Sequence, residues 1–327
     1  MTKVFATMKF PEKGINMLQE EGFEVTVNEK DKPLTRDELI ENVMSHNALF
    51  CTLSDKLDKY FLNRCSHLDI ISQFAVGVDN IDLEEATRLG IPVGNTPDVL
   101  SDATADVAFG LMINVSRKMF YLHKSIGRGN WKHFKPDANL GIEIKNRTLG
   151  VFGLGRIGME MARRCRGAYN MKIIYHNRSR NKMAENEFGA NYVGFEELLG
   201  QSDVLSVHTN LSAETDGIFN KDAFSRMKPT AIFINTARGR IHNENDLIQA
   251  LNNGIIWGAG LDVTNPEPMD PSNPLLSMEN VAVLPHIGSA TRETRNKMSE
   301  LAAKNIIEYY RGNKIPNLVN TGVSIQD

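Results

Sequence analysis

The stretch Gly153-Leu154-Gly155-Arg156-Ile157-Gly158 constrains the fold more than any other part of the chain. It follows a β-like run, "TLGVF", and opens a helical one. Three glycines at this spacing suit a strand-to-helix turn that receives a dinucleotide. Gly153 permits the tight turn. Gly155 removes a side chain where a pyrophosphate must approach. Gly158 lets helix and strand pack closely. The backbone N–H groups of the first helical turn, at Arg156 and Ile157, then face the phosphate at the positive end of the helix. Such a turn commits the surrounding chain to alternating strands and helices.

That alternation is present on both sides of the turn. Before it, "KVFATM", "FEVTV", "NALFCTL" and "LDIISQFA" read as strands, separated by amphipathic stretches near 12–21, 35–45, 56–64 and 82–89. After it come "RTLGVFG", "KIIYH", "VLSVHT", "AIFINT", "WGAGLDV" and "VAVLPH", an α/β unit from Thr148 to about Pro285. The pattern predicts parallel sheets covered by helices. Residues 101–126 read as one long helix with a Ser-Asp start, apolar nearly all round, so more than its own sheet must bury it. A last helix, Thr291 to Tyr310, is closed by Gly312 and should return to the first domain. The expected organisation is two domains, one of residues 1–99 and 290–327 and one of residues 100–289 inserted into it.

Composition narrows the function classes. The chain has 327 residues, more than one core usually serves, and a formal net charge of −3, so nothing favours nucleic acid or an anionic membrane as partner. No apolar run is long enough to span a bilayer, and "MTKVFATMKF" reads as a strand and not a signal peptide. Cys51, Cys65 and Cys165 lie far apart without metal-ligand spacing, which predicts buried free thiols in a reducing cytoplasm and no metal site.

An Asp or Glu about twenty residues beyond the glycines would accept bonds from a ribose 2′-OH. Here the chain reads His176, Asn177, Arg178, Ser179, Arg180. Asn177, Arg178 and Ser179, with Arg180 as a further cation, suit a 2′-phosphate instead. NADP(H) is therefore the expected cofactor, with NAD(H) as the second.

Three strand ends carry the remaining chemistry: "INTARGR" with Arg238, "GLDVTNPEP" with Asp262 and Glu267, and "VLPHIGSAT" with His286. Each alone has an ordinary structural reading as surface charge or core histidine. Together they supply a carboxylate anchor, an acid partner and a proton carrier. His208, also at a strand end, reads as a neutral structural residue.

With "FAVGVDNIDLEEATRLGIPVGNTPDVLSDATADVAFGLM", "VFGLGRIG", "FINTARGR", "GAGLDVTNPEP" and "LPHIGSAT", in this order and spacing, nearly the whole chain resembles the D-isomer-specific 2-hydroxyacid dehydrogenases. Within that family it looks most like the glyoxylate/hydroxypyruvate reductases. The resemblance implies a flavodoxin-like substrate domain, an inserted Rossmann domain, an active-site cleft between them, and a homodimer with helix 101–126 in its core. It implies that His286 protonates the carbonyl oxygen of a small 2-oxo acid, that Glu267 hydrogen-bonds His286 and keeps it protonated near neutral pH, and that Arg238 pairs with the substrate carboxylate. Val76 and Gly77 N–H groups and Ser289 become further substrate contacts. Thr209, Thr236, Asp262 and Gly288 become cofactor contacts, Asp262 on the nicotinamide carboxamide. Trp131 becomes a residue that reaches the partner's site, and Leu53 part of the pocket wall. A phosphoglycerate dehydrogenase-like enzyme and a corepressor like the C-terminal-binding proteins are the alternatives. The first usually has the ribose acid, and the second acts by binding peptides.

Overall fold

The apolar runs Ala48–Cys51 and 232–234 can be satisfied only where both faces of a strand are covered, and each is buried at every residue. A computed structural model describes residues 1–30 and 32–323. It falls into two units, Met1–Leu100 with the chain from Ala290 onward, and Ser101–Ser289.

The first unit holds five parallel strands: β1 (Lys3–Ala6), β2 (Glu24–Val27), β3 (Ala48–Cys51), β4 (Ile70–Gln73) and β5 (Val93–Gly94). Their order is β2-β1-β3-β4-β5, the flavodoxin-like arrangement. Several of its helices begin where the sequence supplies caps. Thr35 and Glu38 form a reciprocal capping box, and the Asp58 and Asp82 side chains accept N–H bonds from Phe61 and Glu85. The last helix, Arg292–Tyr310, is capped by Thr291 and belongs to this unit. It buries Ala302, Ala303 and Ile306 in the core formed with Val4, Phe50 and Ile70. Ser72 donates its hydroxyl to the Ala302 carbonyl at 2.8 Å, and the Gly14 N–H reaches Ser299 Oγ at 3.2 Å.

The second unit holds seven parallel strands: β6 (Thr148–Phe152), β7 (Lys172–His176), β8 (Asn191–Tyr192), β9 (Val204–Val207), β10 (Ile232–Asn235), β11 (Gly258–Leu261) and β12 (Val281–Val283). The order is β12-β11-β10-β9-β6-β7-β8. Connection direction reverses between β6 and β9, so the glycine turn after β6 stands at the topological switch point. Gly260 lets the helix Ser101–Arg117 lie against the sheet. A Cβ there would sit 2.8 Å from Ile234 Cδ1 and 2.9 Å from Leu111 Cβ.

The long helix differs from the sequence expectation. It stops at Arg117, Lys118 takes a left-handed conformation (φ 55°, ψ 34°), and a second helix runs Met119–Gly127. The ladder is diverted at this point. Ile142 N–H takes the Ser116 carbonyl at 2.9 Å, and Phe120 N–H turns to Asn114 Oδ1 at 3.2 Å. The second helix contains no buried residue. Cys51, Cys65 and Cys165 are buried and free. Burial pushes the Cys65 thiol up to about 11. Among the described residues no helix is long and apolar enough to cross a membrane.

Candidate active site

The glycine turn has the geometry of a phosphate cradle. Gly153 has φ 94°, and a Cβ on it would lie 2.7 Å from Thr209 N. Only glycine adopts that conformation without strain. Gly155 caps the helix Arg156–Tyr169, and a Cβ built on it meets nothing within 4 Å. The space in front of the helix is therefore open to a ligand. At Gly158 a Cβ would come 2.8 Å from the Gly153 carbonyl oxygen and 3.1 Å from Val151 Cγ1, so this glycine serves the packing of helix on strand. Arg156 and Ile157 supply first-turn N–H groups. An open cradle at a 14-residue helix N-terminus fits a pyrophosphate.

The loop after β7 divides its residues between two tasks. Asn177 turns inward. Its Oδ1 accepts from Leu154 N at 2.6 Å and its Nδ2 approaches the Leu154 carbonyl at 3.4 Å. It thus braces the glycine turn. Arg180 is held at 2.9 Å by Glu185, which also accepts the Tyr175 hydroxyl at 2.8 Å. Arg178 and Ser179 are exposed. The Glu214 carboxyl lies below its ordinary value, chiefly through the Ser212 hydroxyl and in part through the charge of Arg178.

Beyond β10, β11 and β12 stand Arg238, Glu267 and His286. His286 Nδ1 is 2.5 Å from Glu267 Oε1. Burial pushes the Glu267 carboxyl up, but the His286 hydrogen bond and charge, the Thr264 N–H and the Arg238 charge outweigh it and leave the group below its usual value. His286 has φ 53°, an uncommon conformation for a residue with a side chain. Asp262 holds it there. Its carbonyl accepts from His286 N at 2.9 Å, and its carboxylate oxygens accept from Ile287 N at 2.8 Å and Gly288 N at 2.7 Å. Burial raises the Asp262 carboxyl in spite of these bonds. Sequence reasoning assigned Asp262 to the cofactor and missed this clamp, because three consecutive N–H groups aimed at one residue leave no trace in residue order.

His208 is bracketed by two hydroxyls, Ser206 at 2.8 Å from Nε2 and Thr236 at 3.5 Å from Nδ1. Burial lowers it to about 3, so the ring is neutral. Val76 and Gly77 lie in the first unit after β4, where Asn95 Nδ2 donates to the Val76 carbonyl at 2.8 Å and Gln73 Nε2 to the Gly77 carbonyl at 3.2 Å. Trp131 is 71% exposed in the loop beyond the Met119–Gly127 helix.

Known proteins resemble this chain along its whole length. The family described as "D-isomer specific 2-hydroxyacid dehydrogenase, NAD binding domain" matches residues 109–288. A glyoxylate reductase of Thermococcus litoralis is 46% identical over 98% of this chain and 97% of its own. The human glyoxylate reductase/hydroxypyruvate reductase is 40% identical over 97% of each. The crystal structure of an NADPH-dependent glyoxylate/hydroxypyruvate reductase from Sinorhizobium meliloti, in complex with NADP and malonate, superposes with a TM-score of 0.86 at 31% identity, covering 100% of this chain and 99% of that one. The two sheets, the glycine turn at the switch point and this likeness along the whole length have one meaning: the chain belongs to the D-isomer specific 2-hydroxyacid dehydrogenases, oxidoreductases with a Rossmann domain for a nicotinamide dinucleotide.

Proposed function

We propose that this oxidoreductase is an NADPH-dependent reductase of small 2-oxo acids, glyoxylate and hydroxypyruvate first. The observation that carries the reading is the His286–Glu267 pair, 2.5 Å apart, in the same unit as the glycine turn and Arg238. Reduced nicotinamide supplies the hydride for the carbonyl carbon. His286, with Nδ1 committed to Glu267, presents Nε2 as the donor of the proton that the carbonyl oxygen takes up. Glu267 stabilises the charged imidazole before transfer. Arg238 offers a planar pair of donors to the substrate carboxylate and draws charge towards the forming alkoxide. Proton and hydride together convert the 2-oxo acid to the 2-hydroxy acid.

Preference for NADPH rests on the absence of an acid from residues 176–180 and on the exposed Arg178 and Ser179. The names of the relatives from Thermococcus litoralis, human and Sinorhizobium meliloti support the substrate class. A homodimer accounts for Met119, Ile126, Trp131, Phe134 and Leu140, all exposed in one segment. Buried free thiols suit a cytoplasmic enzyme. The test is a purified-enzyme panel of glyoxylate, hydroxypyruvate and pyruvate with NADPH and NADH. Fastest turnover of the first two with NADPH is expected. Absence of turnover removes the reading, and a preference for NADH removes its cofactor half.

A further inference from the structure

The turn that carries Arg238 is organised by a fully buried amide. Asn235, at the end of β10, accepts from Ala237 N at 2.9 Å and donates through Nδ2 to the Arg238 carbonyl at 2.9 Å. Its second N–H is directed at His242 Nδ1, 3.0 Å away. Turning the amide over would set its NH2 against the Ala237 N–H and its oxygen against the Arg238 carbonyl, so the orientation is determined by the backbone. It follows that His242 Nδ1 must be an acceptor and that the ring proton sits on Nε2. That Nε2 is buried and has no hydrogen-bond partner among the described residues. An orphaned buried donor is costly and calls for a reason. Burial lowers His242 to about 4, which keeps the ring neutral and its Nδ1 lone pair available. The ring packs on Phe233 at 5.7 Å between centroids. Sequence reasoning passed over both residues.

We propose that His242 is a positioning residue for the substrate carboxylate: by accepting from Asn235 it locks the Asn235 amide, and the locked amide sets the Arg238 turn. The proposal rests on the reading of Arg238 as the carboxylate anchor. The guanidinium leans on the same turn, with Nη1 2.7 Å from the Ala237 carbonyl, so a shift of the turn moves the anchor directly. His242 and Asn235 are buried.

The experiment compares the wild type with His242→Leu, which removes the acceptor, and His242→Asn, whose side-chain oxygen restores one near the place of Nδ1. Loss of one hydrogen bond implies about a three- to ten-fold rise in KM for glyoxylate in the Leu variant. KM for NADPH should rise by less than KM for glyoxylate, since the glycine turn lies on another strand and only Thr236 of this turn is an expected cofactor contact. The Asn variant should return KM for glyoxylate towards the wild type. Nitrogen-15 NMR of the wild-type enzyme should show the Nε2–H tautomer for the resonance lost on substitution of His242. An Nδ1–H tautomer overturns the proposal even if the Leu variant fails to fold. So does an unchanged KM for glyoxylate in a folded Leu variant, or equal rises for glyoxylate and NADPH. A wild type without glyoxylate turnover sinks the reductase reading itself, whereas the tautomer result bears on the lock alone.

Discussion

Replacing Arg178 by Ala removes one exposed cation from the loop after β7 and leaves the brace of the glycine turn, made by Asn177, intact. A charge-assisted hydrogen bond is worth ~1.5–3 kcal/mol, about ten- to a hundred-fold in affinity. Two features place this bond at the lower end. Arg178 is exposed, so solvent and salt screen it, and its charge is felt by Glu214, which competes with a phosphate. Arg178→Ala should therefore raise KM for NADPH about ten-fold and KM for NADH by less than about two-fold. Arg180→Ala should matter less, because Glu185 already holds that side chain. Initial rates at saturating glyoxylate, together with fluorescence titration of each cofactor, measure both quantities. Higher ionic strength should narrow the preference. Asn177→Asp keeps the acceptor for Leu154 N while adding a charge that repels the 2′-phosphate, so it should push preference towards NADH. Equal weakening of both cofactors by Arg178→Ala, or a wild type that prefers NADH, would refute the reasoning.

Arg238→Lys keeps the charge but loses the planar pair of donors. The expected fall in kcat/KM is about a hundred-fold, from one lost charge-assisted bond, with near-ultraviolet circular dichroism unchanged. Glu267→Gln removes the carboxylate that favours the charged imidazole, so reduction, which consumes a proton from His286, should have its pH optimum moved down; an unmoved profile would make Glu267 a structural charge. Glu267 itself, lowered in the folded protein, stabilises the fold at neutral pH, and that contribution should fade as acid titrates the carboxylate. Gly155→Ala should fold with an unchanged Tm and bind both cofactors poorly, because its Cβ would enter only the open cradle. Gly158→Ala should lower stability by ~1–3 kcal/mol in thermal melts, because its Cβ would press on the Gly153 carbonyl.

The elements that sequence reasoning located are those whose signals are local. The helix Arg292–Tyr310 begins at Thr291, which caps it, and ends before Gly312, whose φ of 70° suits glycine. β3 is a four-residue apolar run and β10 three apolar residues followed by Asn235, and both are buried throughout. β5 and β8 escaped notice because two residues carry no periodicity. The break at Lys118 escaped for a different reason. Residues 101–126 are helical in pattern throughout, but the Ser116 carbonyl is claimed by Ile142, 26 positions along the chain, and local propensity holds no information about that bond.

The same division runs through the site. Arg238, Glu267 and His286 are candidates legible in the sequence, because ligands gather beyond the carboxyl ends of parallel strands and strand ends are visible there. What each polar side chain touches is a tertiary matter. The sequence points Asn177 towards the phosphate but says nothing of the bond its amide makes with Leu154. The sequence assigns Asp262 to the nicotinamide but does not reveal that its carboxylate holds the loop of His286. Asn235 and His242 gave no signal, since a buried amide and a buried imidazole look in sequence like any other core polar residues. The left-handed His286 is held by the carbonyl and carboxylate of Asp262 and the Arg238 turn by the amide of Asn235, so the geometry of the candidate site depends on contacts that only the folded chain reveals.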